Sequence, residues 1–324
     1  MSLQLEPDSK TIALLCVQLP KAGEESPLGP KEWHTLAERL AGAGFSPARL
    51  LDHPAGELAE QLGMPALEAE RLARLLERRQ RLTAELERLA QLGIWLLTLA
   101  DEGYPTRWRE RLGPGAPPAL FGSGEMALLE AGGLAVVGSR NVDRAGYEFA
   151  QEIARHCARC GLTVVSGGAR GVDSAAMSAA VEAGGTAVGV LAHALESALR
   201  ESAVWQAVAE GTMTLVTPYH PRAPFSAGNA MARNKLIYAL ADYALVVASD
   251  LGKGGTWSGA SEALRKRWVP LFVRDGPDVP VGNRELLAQG GISFPDPFEG
   301  DLVEVLGRAA AAQPEVPKQM SLFG

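Results

Sequence analysis

Residues 134–173 read LAVVGSRNVDRAGYEFAQEIARHCARCGLTVVSGGARGVD. A short Val-rich run, LAVV, ends at Gly138, and a second, LTVV, ends at Ser166-Gly167. Between them Phe149, Ala150, Ile153, Ala154 and Cys157 recur at three- and four-residue spacings, the signature of an amphipathic helix. Apolar runs that do not alternate, joined by helices, build a parallel sheet covered on both faces. The same rhythm continues through TAVGVLA, MTLVTPY, YALVVASD and VPLFVRD, with helical stretches in between. Residues 134–299 are therefore expected to form an open, mostly parallel, doubly wound α/β domain.

The flanks read differently. From Lys31 to Leu92, Leu and Ala fall at helical spacing between charges, with breaks at Gly44 and at Gly63-Met64-Pro65. Residues 1–92 are expected to be a small helical domain, of a SAM or helix-hairpin-helix-like kind, or a bundle serving protein contacts. Pro65 stands where a helix-hairpin-helix would carry its second glycine. Residues 93–133, with Tyr104-Pro105 and GPGAPPALFGSG, are expected to connect the helices to the sheet. Residues 300–324 are expected to be a short helix and a flexible tail.

Composition narrows the classes. The chain of 324 residues is 47% hydrophobic and 21% charged, which suits a globular fold of about two domains. No eighteen-residue apolar run exists to span a membrane, and MSLQLEPDSK carries acids and no basic-then-apolar stretch, so export is not expected. Three cysteines make no disulfide framework, so a cytoplasmic protein without a membrane partner is expected. The net charge of −7 is not that of a generally basic nucleic-acid binder. Most of the acid excess precedes residue 134, however, and a nearly neutral domain can still focus positive potential in a cleft.

In an open α/β sheet the ligand sits beyond the carboxyl ends of the strands, at the point where strand order reverses. The loops there are Gly138-Ser139-Arg140 after the first strand and Ser166-Gly167-Gly168-Ala169-Arg170-Gly171 after the second. Arg233-Asn234-Lys235 is expected to open the helix before YALVV, and Lys253-Gly254-Gly255-Thr256 follows that strand. Glycines let main-chain N–H groups approach an oxyanion, and helix N-termini favour negative charge. Ser139, Ser166 and Thr256 add hydroxyls; Arg140, Arg170, Arg233, Lys235 and Lys253 add positive charge. Asp173 is expected to brace its loop and to orient Arg170. The shared chemistry is phosphate binding.

Other chemistries have less support. There is no G-x-x-x-x-G-K-[ST], and VVGSRNVDRAG is not a G-x-G-x-x-G fingerprint. His156 with Cys157 and Cys160 falls short of a zinc set. No cofactor, metal or catalytic residue is expected.

These residues carry a family resemblance. GSR, SGGARGVD, AGGTAVGVLA and RNKLIYALADYALVVAS, at their intervals over about residues 90–292, resemble the DNA-processing protein DprA (Smf) family. The resemblance implies a Rossmann-like sheet that binds single-stranded DNA, loads RecA recombinase in natural transformation, and forms a homodimer. It implies a phosphate pocket of Gly138, Ser139, Arg140, Ser166, Gly167, Arg170, Arg233, Asn234 and Lys235. The chain departs from the pattern at Met177, where the family often has His, and at Ala192–Glu196. It also lacks the aromatic usually placed just before the RN pair; Phe225 is the nearest. GKGGTWSGASEAL is similar to a loop of the lysine-decarboxylase-like (LOG) phosphoribohydrolases, with Glu262 as the corresponding acid, which leaves a nucleotide sensor or hydrolase as the alternative. Finally, Gln319-Met320-Ser321-Leu322-Phe323 resembles a sliding-clamp-binding peptide, with Leu322 and Phe323 as apolar anchors and Gln319 as a polar handle.

Overall fold

The computed structural model describes residues 5–19, 25–52 and 60–311, with side chains to 308. Among the described residues the chain forms two compact units: residues up to Gly122 with Thr217–Ala223, and Ser123–Val216 with residues 224–311. The clamp-peptide residues Gln319, Leu322 and Phe323 lie outside the described residues.

The first unit is mainly helical, with segments Pro7–Cys16, Pro30–Gly42, Arg49–Asp52, Ala66–Leu76 and Arg79–Gln91. Pro30 opens its helix, and the Glu32 carboxylate reaches back to accept from Gly29 N at 2.8 Å. Trp33, Leu36, Ala37 and Leu40 form the buried stripe of that helix; Ala69, Leu72, Leu75 and Leu76 form the next. Helix Pro7–Cys16 carries no such stripe, because Ile12, Ala13, Leu14 and Leu15 are all fully buried. A consecutive apolar run of this kind at the end of a short helix leaves no helical periodicity in the sequence. Its last carbonyls are capped by the buried Arg78 guanidinium, which donates to Leu14 O and Val17 O. Strands β1 (Trp95–Thr98) and β2 (Ala119–Ser123) pair antiparallel, Trp95 opposite Gly122. Between them lies helix Thr106–Leu112, and the buried Tyr104 hydroxyl donates to Pro117 O at 2.8 Å.

Segment Thr217–Ala223 brings His220 to Glu85, Nε2 to Oε1 at 3.0 Å. Burial opposes the Glu85 charge, but hydrogen bonds from Arg88 and His220 hold its carboxyl below the usual range. A carboxyl depressed in the folded state contributes stability above its unfolded pKa and loses it as pH falls through the folded value. Thermal melts from neutral pH into acid are therefore expected to show a smaller loss of Tm for Glu85→Gln than for the wild type. Parallel curves would refute this.

The second unit holds β3 (Leu134–Gly138), β4 (Val164–Ser166), β5 (Ala187–Val190), β6 (Met213–Thr217), β7 (Tyr243–Ala248), β8 (Leu271–Asp275) and β9 (Ile292–Pro295). Their order is β6-β5-β4-β3-β7-β8-β9, all parallel. This is the Rossmann-like open sheet expected from the Val-rich runs. Leu134, Ala135, Val136, Val164 and Val165 are fully buried, as strands covered on both faces must be. Helix Arg144–Arg159 is capped by Asp143, which accepts from Gly146 N at 2.8 Å, and it buries Phe149, Ile153 and Cys157. Strand order reverses between β3 and β7, so their carboxyl ends diverge into a crevice. Asn283, fully buried, fixes one side of it: its Oδ1 accepts from Ser249 N at 2.9 Å, and its Nδ2 donates to Val247 O and Arg274 O.

One helix boundary differs from expectation. The helix read as opening at Arg233 runs Ala227–Leu240, with Ser226 Oγ accepting from Asn229 N. The Ser226 cap starts it almost two turns early, so Arg233, Asn234 and Lys235 sit mid-helix, away from its N-terminal dipole. Among the described residues no helix is long and apolar enough to cross a membrane.

Candidate functional site

Two cavities of about 400 and 410 Å3 open at the carboxyl edge of the second unit's sheet. Arg140, Ala169 and Arg233 line both, so the cavities are neighbours. The first is bounded by the loop leaving β3, the loop leaving β7, and one stripe of helix Ala227–Leu240. The second is bounded by the loops leaving β4 and β5.

The glycines make the loops fit. Gly171 has φ +93°, and a Cβ there would lie 2.5 Å from Ser139 O. A Cβ on Gly167 would lie 1.8 Å from the Arg233 guanidinium and 2.6 Å from an Asp173 oxygen. Beneath them Asp173 is buried, and the main chain of Ala169, Gly138 and Gly167 hydrogen-bonds to its carboxyl. Burial pushes this carboxyl above the usual range, against the pull of Arg233 and those main-chain bonds. Asp173 thus ties the β3 and β4 loops together. Its cationic neighbour is Arg233; Arg170 instead donates to Asn141 Oδ1 at 2.6 Å.

The expected site residues divide by where they point. Gly138, Ser139, Arg140, Asn234, Lys253, Gly254, Gly255 and Thr256 line the first cavity, and Gly167, Gly168 and Arg170 line the second. Arg140 and Arg170 are exposed, whereas Arg233 is only 4% exposed and donates to Val190 O. Its charge reaches the cavities as part of their wall. The Ser166 hydroxyl is spent on the neighbouring strand, donating to Val136 O at 2.6 Å. Lys235 lines neither cavity, because successive helical residues turn by about 100°. Gly171 and Glu262 do not line them either.

Three side chains complete the site that sequence order did not bring together. Phe225, 55% exposed, lies under the Arg140 guanidinium, 5.3 Å from its ring centroid. His193 meets the same ring edge-on at 5.3 Å. Burial, then Arg140 and Arg233, lower the His193 pKa, so at neutral pH it adds no positive charge. Met231, also 55% exposed, lines the first cavity. The signal for Phe225 was its nearness to the RN pair, but its displacement in sequence hid that the chain folds it back over Arg140. Met177, the residue where the resembled family often has His, is buried with its methyl group against Gly189. It fills core space.

The arrangement offers glycine-loop N–H groups, two exposed guanidinium groups and an exposed aromatic ring along one edge. That combination suits an anionic ligand that also carries stacking bases.

Comparison with known proteins agrees with the fold. Residues 95–291 match the family model described as DNA recombination-mediator protein A. The chain is 31% identical over 191 residues to Protein Smf of Escherichia coli, covering 56% of this chain and 50% of that protein. It is 26% identical to DNA processing protein DprA of Bacillus subtilis, covering 68% of each. The matched segment thus spans about half the Escherichia coli relative. Among solved structures, DprA from Streptococcus pneumoniae superposes with TM-score 0.59 at 19% identity, covering 87% of this chain and 98% of that one. DNA processing protein A from Helicobacter pylori, studied for its single-stranded DNA binding mode, superposes with TM-score 0.52 at 25% identity, covering 62% and 90%. With the family model matched across more than half its length, the chain belongs to the DNA recombination-mediator protein A family.

Proposed function

We propose that the protein binds single-stranded DNA along the carboxyl edge of its parallel sheet, without catalysing a reaction on it. The observation that carries this reading is Arg140, which lines both cavities while resting on the exposed ring of Phe225. Phosphates would lie against Ser139, Arg140, Gly168 and Arg170, and a base would stack on Phe225. The family and the single-stranded DNA binding described for the Helicobacter pylori relative support it. Within that reading the protein works in the cytoplasm as a dimer that loads a RecA-type recombinase on incoming strands during natural transformation. The clamp-binding role of Gln319, Leu322 and Phe323 is a further part of the proposal.

The test is a titration of labelled oligothymidine and of a duplex of equal length at several salt concentrations. Log affinity for the single strand is expected to fall linearly with log salt, by about 0.7 per phosphate neutralised. Arg170→Ala is expected to weaken binding several-fold and to flatten that slope by about 0.7, as loss of one phosphate contact requires. A duplex preference, or affinity indifferent to salt, would defeat the proposal.

A further inference from the structure

The second cavity carries an acid that phosphate binding does not use. Glu201 lines it together with Arg140, Arg170 and Arg233. Glu201 is exposed, and among the described residues its carboxylate takes neither a hydrogen bond nor an ion pair. Such a group repels phosphates and keeps its lone pairs for N–H donors. A second feature stands one helical turn away. Trp205, 50% exposed, is the only exposed one of the chain's six tryptophans. Its ring meets no aromatic or cationic side chain among the described residues.

Helix Ser202–Ala209 sets the two side by side. Ala207 and Val208 form its buried side. Trp205 N donates to Glu201 O at 2.9 Å, which makes the two residues neighbours on one flank of the helix. Long side chains on a helix lean toward its N-terminus, so the Trp205 indole leans back toward Glu201 and the cavity rim. The cavity of about 410 Å3 is itself divided. Its guanidinium groups belong to the β3 side, where Arg140 rests on Phe225 and Arg170 donates to Asn141. Toward Glu201 the walls are small and apolar, made by Leu191, Ala192, Ala194 and Ala198. Ala194, at φ +54°, makes the left-handed turn from β5 into helix Leu195–Ala198, and its carbonyl accepts from Ser197 N and Ala198 N. A nucleotide fits that division with its phosphate on the guanidinium side and its base on the apolar side.

We infer that Glu201 and Trp205 form a base subsite, in which a base stacks on Trp205 and donates an exocyclic amino group to the Glu201 carboxylate. The inference rests on the strand-binding reading and adds to it the class of base preferred at this rim. Cytosine presents its N4 amino group as a donor, whereas thymine presents the O4 acceptor at the same place, which a carboxylate repels.

Oligodeoxycytidine and oligothymidine of equal length would be titrated into the full chain, with tryptophan emission followed in parallel. Oligodeoxycytidine is expected to bind about three- to tenfold tighter, as one added hydrogen bond requires. Glu201→Ala should abolish that difference. Trp205→Ala should weaken both strands about fivefold or more, and Trp205→Phe should restore most of the loss. Trp205→Phe should also remove most of the emission change that strand binding causes in the wild type. Both side chains are exposed, so Tm should move little in any of these variants. No binding of either strand by the wild type would overturn the strand reading itself. Equal binding of the two strands, or affinity indifferent to Trp205→Ala while Arg140→Ala still weakens it, overturns this inference and spares that reading. A change of oligomeric mass in Trp205→Ala with strand affinity unaltered would give the ring to a second copy of the chain, and overturns it as well.

Discussion

Asp173→Ala is expected to lower the unfolding free energy by about 3 kcal/mol, since three main-chain donors lose the buried carboxyl that accepts from them, at about 1 kcal/mol or more each. The Arg233 guanidinium, 4% exposed, would lose the electrostatic attraction of that carboxyl. The main-chain groups of Ala169, Gly138 and Gly167 would lose their common acceptor in the same step. Those three residues belong to the loops that carry Arg140 and Arg170, so strand affinity should fall further than global destabilisation explains. Asp173→Asn keeps the volume and part of the hydrogen bonding but loses the charge, and is expected to fall between the wild type and alanine. Urea denaturation of the full chain measures the first effect, and oligothymidine titration well below the transition measures the second. A loss under about 1 kcal/mol for alanine would mean that Asp173 does not hold the loops.

Sequence and structure part company here for identifiable reasons. The fold was legible because parallel strands buried on both faces must be continuous apolar runs, and LAVV, LTVV and YALVV have no other reading of equal simplicity. The loops after β3, β4 and β7 were legible because the strand ends name them. Side-chain direction was not. Arg233, Asn234 and Lys235 form one basic-polar triplet in sequence, yet the helix turns Arg233 under Gly167, Asn234 against Gly255, and Lys235 away from both cavities. Ser166 looked like a phosphate donor, but its place on a strand flanked by β3 gave its hydroxyl a main-chain acceptor first. The Phe225–Arg140–His193 cluster joins residues from three separate loops. Its existence depends on tertiary geometry that no local pattern encodes.

That cluster sets the other large expectation. Phe225→Ala should weaken oligothymidine binding by about 1–3 kcal/mol, the range for removing one base-stacking ring, and should leave the salt slope unchanged. Arg140→Ala should weaken it to a similar degree and flatten the slope by about 0.7, because a phosphate contact goes with it. Each substitution also disturbs the other side chain, since the guanidinium rests 5.3 Å from the ring centroid. The double variant should therefore lose less than the sum of the two, with a coupling of about 0.5–1 kcal/mol. The total should still exceed tenfold. Both residues are exposed, so Tm should move little in any of the three variants, which separates this result from that of Asp173. Full affinity in the double variant would remove Arg140 and Phe225 from the strand path, and with them the reason for placing a base at this edge. Strict additivity would show instead that ring and guanidinium act on the strand independently, at separate nucleotides.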